Sequence, residues 1–256
     1  MNNINKLESK QVSDYIVDDK RSSFFINGFQ TITFNNTEIK NKLFDRCYEI
    51  NNNNKLNGYK WDEIYKSTED FGPKPYKENL YIDFIFDQGI HTLIEELTGF
   101  DLYLGDFAIR RTYPNKKSYM RWHRDTHFYK NKKIIGRMPP IYKLIVYVPE
   151  SEGLYSDQLR ISPGSQHRFI ENRYLDIIYA MLRKKVTVTS SDINCIFLNS
   201  MVHHSVIQNI QVKKPSVRLF YNFCLKSQLS EFKGREDLHQ IYINKKNNHI
   251  NKKFLN

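Results

Sequence analysis

The sequence predicts an α+β protein in which helices come first and a run of short antiparallel strands follows. Apolar residues recur at helical spacing early in the chain, and short apolar stretches separated by turn residues fill most of the rest. The 256 residues are 40% hydrophobic, enough to bury a sizeable core. We therefore expect an antiparallel β-sandwich or barrel with helices packed on its outside.

Two helices are predicted in the N-terminal part. In "NNTEIKNKLFDRCYEI", Asn36 or Thr37 can cap a helix whose apolar positions recur from Ile39 to Ile50. The second runs from about Ile82 to Leu97 in "IFDQGIHTLIEELTG", with Gly99 as its C-terminal stop.

Short strands dominate after residue 100, and one helix interrupts them at about Ile170 to Lys184. The predicted strands are "DLYLGDFAIRRTY", "YKLIVYVPE", "QLRISPG", "KVTVTSSD", "NCIFLN", "MVHHSVIQN" and "VRLFYNFCL". We expect one domain, 1–256, with a helical part over about 1–100, a β core over about 101–226 and a basic tail over 227–256. The tail "KKNNHINKKFLN" is predicted to be frayed.

The net charge of +11 permits two interpretations. A basic chain can bind nucleic acid, anionic membranes or acidic substrates. Alternatively, the charge reflects a bias toward A/T-rich codons, which also encode asparagine. We favour the second interpretation because the lysines are scattered and form no single stripe.

Cysteine usage and hydropathy predict a reducing, intracellular and cytoplasmic location without a membrane span. Cys47, Cys195 and Cys224 lie far apart, which argues against a disulfide framework and a cysteine-based zinc site. The N-terminus has no apolar run typical of a signal peptide, and no apolar stretch approaches transmembrane length.

A candidate metal site begins in "YMRWHRDTHFY", where His123 precedes Asp125 by two residues. In a strand this spacing puts both side chains on one face. Two histidines and one carboxylate form the facial triad of non-heme Fe(II) oxygenases. Taken alone, the pair is also compatible with an ordinary strand that carries polar residues.

A second group of polar residues follows the apolar strand "IFLNSMV". It comprises His203, His204 and Ser205, with Asn209 shortly after them. Arg218 then stands in the apolar strand "SVRLFYNF", where a buried guanidinium needs an anionic partner. That partner is either a carboxylate ligand bound in bidentate fashion or a side chain of the protein itself.

These segments resemble, in order, motifs of the phytanoyl-CoA dioxygenase family of Fe(II)/2-oxoglutarate-dependent oxygenases. "WHRDTHF" is similar to its Trp-His-x-Asp segment, "PGSQHR" to its Pro-Gly-Ser/Thr-His turn with Gln166 inserted, "MVHHS" to its distal His-x-Ser, and "VRLFYNF" to its arginine strand. The resemblance covers about residues 105 to 225. The N-terminal third is only loosely similar, and the loop between Asn209 and Arg218 is longer than is usual in the family.

The resemblance implies a double-stranded β-helix (jelly-roll or cupin-like) core with N-terminal helices packed on the outside. It implies that His123, Asp125 and His203 bind Fe(II), and that Arg218 and Ser205 hold the co-substrate 2-oxoglutarate. Such enzymes use O2 to decarboxylate 2-oxoglutarate to succinate and CO2 while oxidising a second substrate.

The third metal ligand has an alternative, because His203 and His204 are adjacent and face opposite sides of a strand. The spacing back from Asn209 favours His204. The spacing forward from "IFLNSMV" favours His203, which also completes His-x-Ser. We take His203 as the ligand and keep His204 as the alternative.

Four further residues are candidates for the pocket: Tyr119, Trp122, His127 and Lys143. The aromatic residues can instead be core, His127 can be a packed strand histidine, and Lys143 can face outward. The implied substrate is a small molecule or one bound to an acyl carrier or CoA. Nucleic acid is disfavoured because no second arginine follows Arg218; action on nucleic acid or protein, and a non-catalytic binding module, stay as alternatives.

Overall fold

The computed structural model describes residues 17–33, 37–53, 59–60, 68–71, 79–113, 120–125, 127–130, 133–137, 141–148, 157–168, 170–188, 195–208 and 215–254. The helices in these ranges are α1 Val17–Asn27, α2 Thr37–Asn52, α3 Leu80–Asp87, α4 Ile90–Thr98, α5 Arg173–Leu182 and α6 Glu236–Phe254. The strands are β1 Phe29–Ile32, β2 Tyr59–Lys60, β3 Thr68–Phe71, β4 Leu102–Thr112, β5 His127–Lys130, β6 Lys133–Arg137, β7 Tyr142–Val148, β8 Asp157–Ile161, β9 Val186–Val188, β10 Cys195–Asn199, β11 His204–Gln208 and β12 Ser216–Leu225.

The strands form antiparallel sheets, which confirms the α+β prediction. The larger sheet has the order β1-β10-β7-β12-β4-β3-β2, the smaller has the order β11-β8-β9, and β5 pairs with β6 in a hairpin. Because most sequence neighbours are not sheet neighbours, the chain crosses repeatedly between the two sheets.

The two faces of the larger sheet bury different partners. On β12, Val217, Leu219 and Tyr221 pack into the core that includes the buried residues of α2, α3 and α4. Phe220, on the opposite face, packs in a second core together with residues of the smaller sheet such as Leu159 and Val206. This alternation follows the two-residue period of a strand, and it leaves room for a site between the sheets.

The N-terminal helices differ in one respect from the prediction. The apolar positions of α2 are buried at the predicted spacing, but the single helix expected from Ile82 to Leu97 is two helices, α3 and α4. Gly89 separates them with a φ of 66°, a left-handed conformation that an α-helix does not continue through. Gly99, with a φ of 72°, ends α4 as predicted, and its N–H donates to Glu95 O at 2.7 Å.

The C-terminal tail was predicted to be frayed, but its described residues, 245–254, are helical and form the second half of α6. Lys246 is 5% exposed, and its ammonium donates to Glu95, Asp101 and the carbonyl of Leu102. Burial alone would lower the pKa of Lys246, but the two carboxylates outweigh burial and raise it. The prediction was wrong because the partners that order the tail lie about 150 residues earlier in the chain.

Among the helices of the described ranges, none combines the length and the apolar character that a membrane crossing requires.

Candidate metal centre

A cavity of about 380 Å³ lies between the two sheets. Its floor is the face of the larger sheet opposite the helices, where three strands are in register. The rows of that floor are Arg110 with Arg218, then Ala108 with Phe220 and Ile145, then Asp106 with Asn222 and Lys143. One end of the floor therefore carries two guanidinium groups, the middle is apolar, and the other end is polar.

Three potential metal ligands converge on the polar end of this cavity. Within the described residues, one ligand atom each from His123, Asp125 and His204 lies within 4.8 Å of the other two. His123 Nε2 is 3.3 Å from Asp125 Oδ1, and His204 Nε2 is 3.4 Å from Asp125 Oδ2. The arrangement is two imidazoles and one carboxylate, facing one point.

Backbone pairing sets the position of the two histidines. His123 N–H donates to His204 O and His204 N–H donates to His123 O, both at 3.0 Å. This is an isolated bridge at the start of β11 rather than the continuous strand expected for His123 and Asp125. Directly opposed residues of an antiparallel pair project to the same face, so the rings stand 4.3 Å apart. Asp125 follows in a turn, where its N–H donates to Ser200 O at 3.1 Å.

The hydrogen bonds of the two rings turn their lone pairs toward Asp125. His123 Nδ1 lies 2.7 Å from Arg121 O, and His204 Nδ1 lies 2.9 Å from Val202 O. A carbonyl oxygen only accepts, so each Nδ1 carries a proton, and in the neutral ring Nε2 then presents a lone pair. The buried Nε2 of His123 has no hydrogen-bond partner in the described part of the chain. Two imidazole lone pairs and a carboxylate that face one point fit a bound cation.

The protonation states also suit a metal. Burial alone would raise the pKa of Asp125, but Lys143 and His204 outweigh burial and hold that pKa well below its usual range. Burial lowers the pKa of His204, against the opposing influence of Asp125. A carboxylate and a neutral imidazole are the forms that bind a metal ion.

Lys143 lies in the floor of the cavity. Of the two orientations predicted for its side chain, the structure shows the inward-facing one. Its ammonium donates to Asp125 Oδ2, one of the two oxygens of the candidate ligand. The carboxylate thus has a cationic partner supplied by the protein itself.

Arg218 lies at the opposite end of the cavity and is 5% exposed. Its Nη2 donates to Thr112 Oγ1 at 2.8 Å, and its guanidinium carbon is 5.3 Å from the centre of the Phe220 ring. The guanidinium carbon of Arg110 is 4.4 Å from the same ring. Both guanidinium groups thus lie over one aromatic ring at this end of the cavity.

The structure places His204, the alternative, beside His123 and Asp125, and directs His203 elsewhere. Adjacent residues face opposite sides, so His203 points away from the cavity. Its Nε2 lies 2.6 Å from Asp176 Oδ2 and 3.1 Å from Arg124 Nε. The residue that the structure brings together with the other two is therefore the alternative, His204, because the bridge to His123 begins there.

Two other candidates, Ser205 and Trp122, lie outside the cavity lining formed by the described residues. Ser205 is buried, but it does not line the cavity, because it follows His204 on the strand and faces the other way. Trp122 is also buried outside the lining, and Arg160 lies over its ring at 5.5 Å. Tyr119 and Asn209 lie outside the described residues. For His127 the structure describes the backbone in β5 alone.

Sequence reasoning did not find a buried cluster behind the candidate ligands. Arg124, between His123 and Asp125, is 3% exposed. Its Nε and Nη2 donate to the two oxygens of Asp176 at 3.1 and 3.0 Å. Its Nη1 donates to the carbonyl oxygens of Ser165 and Met201, and its Nη2 donates also to that of Arg168.

Asp176 therefore joins the sequence neighbours of all three candidate ligands. It accepts from Arg124, which separates His123 from Asp125, and it lies against His203, which precedes His204. Burial alone would raise the pKa of Asp176, but His203 and Arg124 lower it below its usual value. One carboxylate of α5 thus fixes the backbone on both sides of the candidate centre.

Sequence reasoning also missed Thr112, Arg110, Asp106 and Asn222. Asn222 could have been found, because it stands four residues after Arg218 and therefore on the same strand face. The other three belong to β4. The register of β4 with β12 brings Arg110 and Asp106 to the cavity and Thr112 into contact with Arg218.

Solved structures with the same fold are found, although no protein-family model matches the sequence and no match was found among curated proteins. The non-heme alpha ketoglutarate dependent carbocyclase SnoK from nogalamycin biosynthesis has a TM-score of 0.64 at 11% identity, over 84% of this chain and 86% of that one. EctD from S. alaskensis with bound Fe has a TM-score of 0.64 at 14% identity, over 86% and 81%. HygX from Streptomyces hygroscopicus, with nickel and 2-oxoglutarate bound, has a TM-score of 0.60 at 12% identity, over 81% and 87%. The chain therefore has the fold of these 2-oxoglutarate-dependent proteins.

Proposed function

We propose that the protein is an Fe(II)- and 2-oxoglutarate-dependent dioxygenase that hydroxylates a small-molecule or carrier-bound substrate. The observation that carries the proposal is the convergence of His123, Asp125 and His204 at one end of a cavity whose other end holds the buried Arg218. Structures of similar fold with bound iron, or with bound nickel and 2-oxoglutarate, support it.

The candidate ligands fit a divalent first-row metal. Two neutral imidazoles and one carboxylate on the same side of the ion leave its remaining positions open, which is the 2-His-1-carboxylate arrangement. Bound Fe(II) would supply the activation of O2 that is coupled to the decarboxylation of 2-oxoglutarate. Arg121 O and Val202 O hold the imidazoles in the orientation that this binding needs.

The residues at the far end of the cavity fit the distal carboxylate of 2-oxoglutarate. The planar fork of Arg218 can donate two parallel hydrogen bonds to a carboxylate. Thr112 Oγ1 accepts a hydrogen bond from Arg218 Nη2 and would hold the guanidinium in this orientation. The apolar row of Ala108, Phe220 and Ile145 would flank the carbon chain between the two ends.

We also propose the finer classification that the motifs suggest. The two sheets would form a double-stranded β-helix with the N-terminal helices on its outside. Four motifs in the family order support a place near the phytanoyl-CoA dioxygenase family. We propose further that the chain is a single domain with an intracellular, cytoplasmic location.

Replacing Arg218 tests the co-substrate site. Loss of a buried charge partner costs about 2–5 kcal/mol, so we expect Arg218→Ala to weaken 2-oxoglutarate binding by roughly 30-fold or more. The measurement is calorimetric titration of 2-oxoglutarate into the Ni(II)-loaded protein, which does not turn over.

Arg173→Ala is the control for this experiment, because it removes the same charge from an exposed position on α5. It should leave the affinity unchanged. Undetectable 2-oxoglutarate binding by the unaltered, metal-loaded protein would refute the proposed function. Normal binding by Arg218→Ala, with loss in Arg110→Ala, would move the carboxylate site to the neighbouring strand.

A further inference from the structure

Helix α5 exposes large apolar side chains and buries the carboxylate of Asp176. On the outward side, Tyr174 is 54% exposed, Leu175 56%, Ile178 49%, Met181 52% and Leu182 82%. These five positions recur at helical spacing and form one stripe, which we call the α5 surface. A helix on a globular protein normally turns such a stripe toward the core.

The inward side of α5 contains Asp176 and Ala180, both fully buried. The contacts of Asp176 with Arg124 and His203 hold the helix in this orientation. Rotating α5 to bury its apolar stripe would break a buried ion pair, so the exposed stripe is a fixed feature of the fold.

The end of α1 also exposes apolar side chains. Phe25 is 71% exposed and Ile26 61%. Gln166 and His167, in the turn that leads to α5, contact the carbonyl oxygen of Phe25. Exposed apolar side chains therefore lie on both sides of this turn, and contiguous exposed apolar areas mark interaction sites.

Basic residues stand at both ends of the α5 surface. Arg168 and Arg173 are exposed before and at its start, and Lys184 and Lys185 are exposed directly after its end. Glu171 is the one exposed acidic residue described between positions 167 and 185. A partner of this surface must therefore combine an apolar layer with negative charge.

A second copy of the chain does not meet this requirement. In an antiparallel pair of α5 helices, Arg173 of one copy would lie opposite Lys184 and Lys185 of the other. In a parallel pair the same residues would face their own copies. Both arrangements oppose like charges, and each chain already carries a net charge of +11.

We propose that α5 docks on an anionic lipid surface. The helix is about 15 Å long from its ten residues, and its apolar side chains would lie at the boundary between headgroups and acyl chains. The basic side chains at both ends would contact lipid phosphates, as in interfacial amphipathic helices. The α5 surface faces outward and has basic residues at both ends. It therefore suits a flat, negatively charged layer better than a groove in a protein. Docking would bring Asp176, and with it the candidate metal centre, close to the membrane.

The test is co-sedimentation of the full chain with phosphatidylcholine vesicles, with and without phosphatidylserine. We expect binding to the anionic vesicles that decreases with added salt. Leu175→Asp/Ile178→Asp should abolish binding. Because each basic residue near a membrane contributes about 1 kcal/mol, Lys184→Glu/Lys185→Glu should weaken it by about tenfold or more.

Leu225→Asp/Ile250→Asp makes the same chemical change at exposed apolar positions outside α5 and should bind as the unaltered protein does. Circular dichroism and thermal unfolding verify that each variant folds. The proposal is overturned if folded, unaltered protein fails to bind anionic vesicles, or if it binds neutral ones equally well. A dimer in light-scattering measurements that Leu175→Asp/Ile178→Asp dissociates would overturn it in favour of a second copy.

Discussion

His204→Ala is expected to abolish metal binding at the candidate centre, while His203→Ala retains it. His204 Nε2 faces Asp125, whereas His203 Nε2 lies against Asp176 on the other side of the chain. Loss of a residue that merely orients a metal ligand already costs about 10–100-fold in affinity, so loss of a ligand should cost at least the upper value. Equilibrium dialysis against Fe(II) under anaerobic conditions measures this difference.

A spectroscopic measurement adds the co-substrate to this comparison. Titration of 2-oxoglutarate into the anaerobic, Fe(II)-loaded protein should give a weak visible charge-transfer band. We expect the band to be lost in His204→Ala and kept in His203→Ala. The adjacent positions make the two variants matched controls for each other. The opposite pattern would show that His203 is the ligand and that the side-chain directions described above are wrong.

Asp176→Ala is expected to lower the free energy of unfolding by about 3–5 kcal/mol, because it leaves the buried guanidinium of Arg124 without its carboxylate. Urea unfolding measures this change. Glu38→Ala removes one partner of an exposed pair with Lys42 and should leave the unfolding free energy nearly unchanged. Metal affinity should also fall in Asp176→Ala, since the segments on both sides of the centre lose their common anchor.

Two further measurements distinguish the ion pair from simple packing. Arg124→Met/Asp176→Leu removes both charges and should regain part of the lost stability. The lowered pKa of Asp176 means that its contribution is complete above its ordinary pKa of about 3.9 and decreases as the pH falls through the lower, folded value. Equal stability of Asp176→Ala and the unaltered protein at neutral pH would contradict the structural role of the cluster.

The β core was predictable because its signals are local. β4, β7 and β12 lie where short apolar stretches follow one another, and residues two apart on β12 share a face, as strand geometry requires. The helix break at Gly89 and the helical structure of α6 were not predictable in this way. The break depends on one backbone angle, and α6 is held in place by carboxylates that are distant in the sequence.

The residue types of the site were predictable, but which of the two adjacent histidines faces the cavity was not. His123, Asp125 and Arg218 were identified from residue type and order, and the structure brings the first two together and places the third across the cavity. The choice between His203 and His204 depends on which residue begins the pairing with His123, and two ways of counting gave different answers. Asp176 had no local signal, since its partners Arg124 and His203 are 52 and 27 residues away.

The ion pair between Lys143 and Asp125 has a consequence for the order of assembly. With an ammonium already beside the carboxylate, the chain can complete its fold before any metal arrives. Under the proposed function, loading then becomes an exchange of one cation for another. Folding and metal supply are thereby uncoupled, so newly made protein would accumulate as a stable apoprotein when iron is scarce. Adding Fe(II) should raise the thermal unfolding midpoint of Lys143→Met protein more than that of the unaltered protein, because no ammonium competes for Asp125 in the variant.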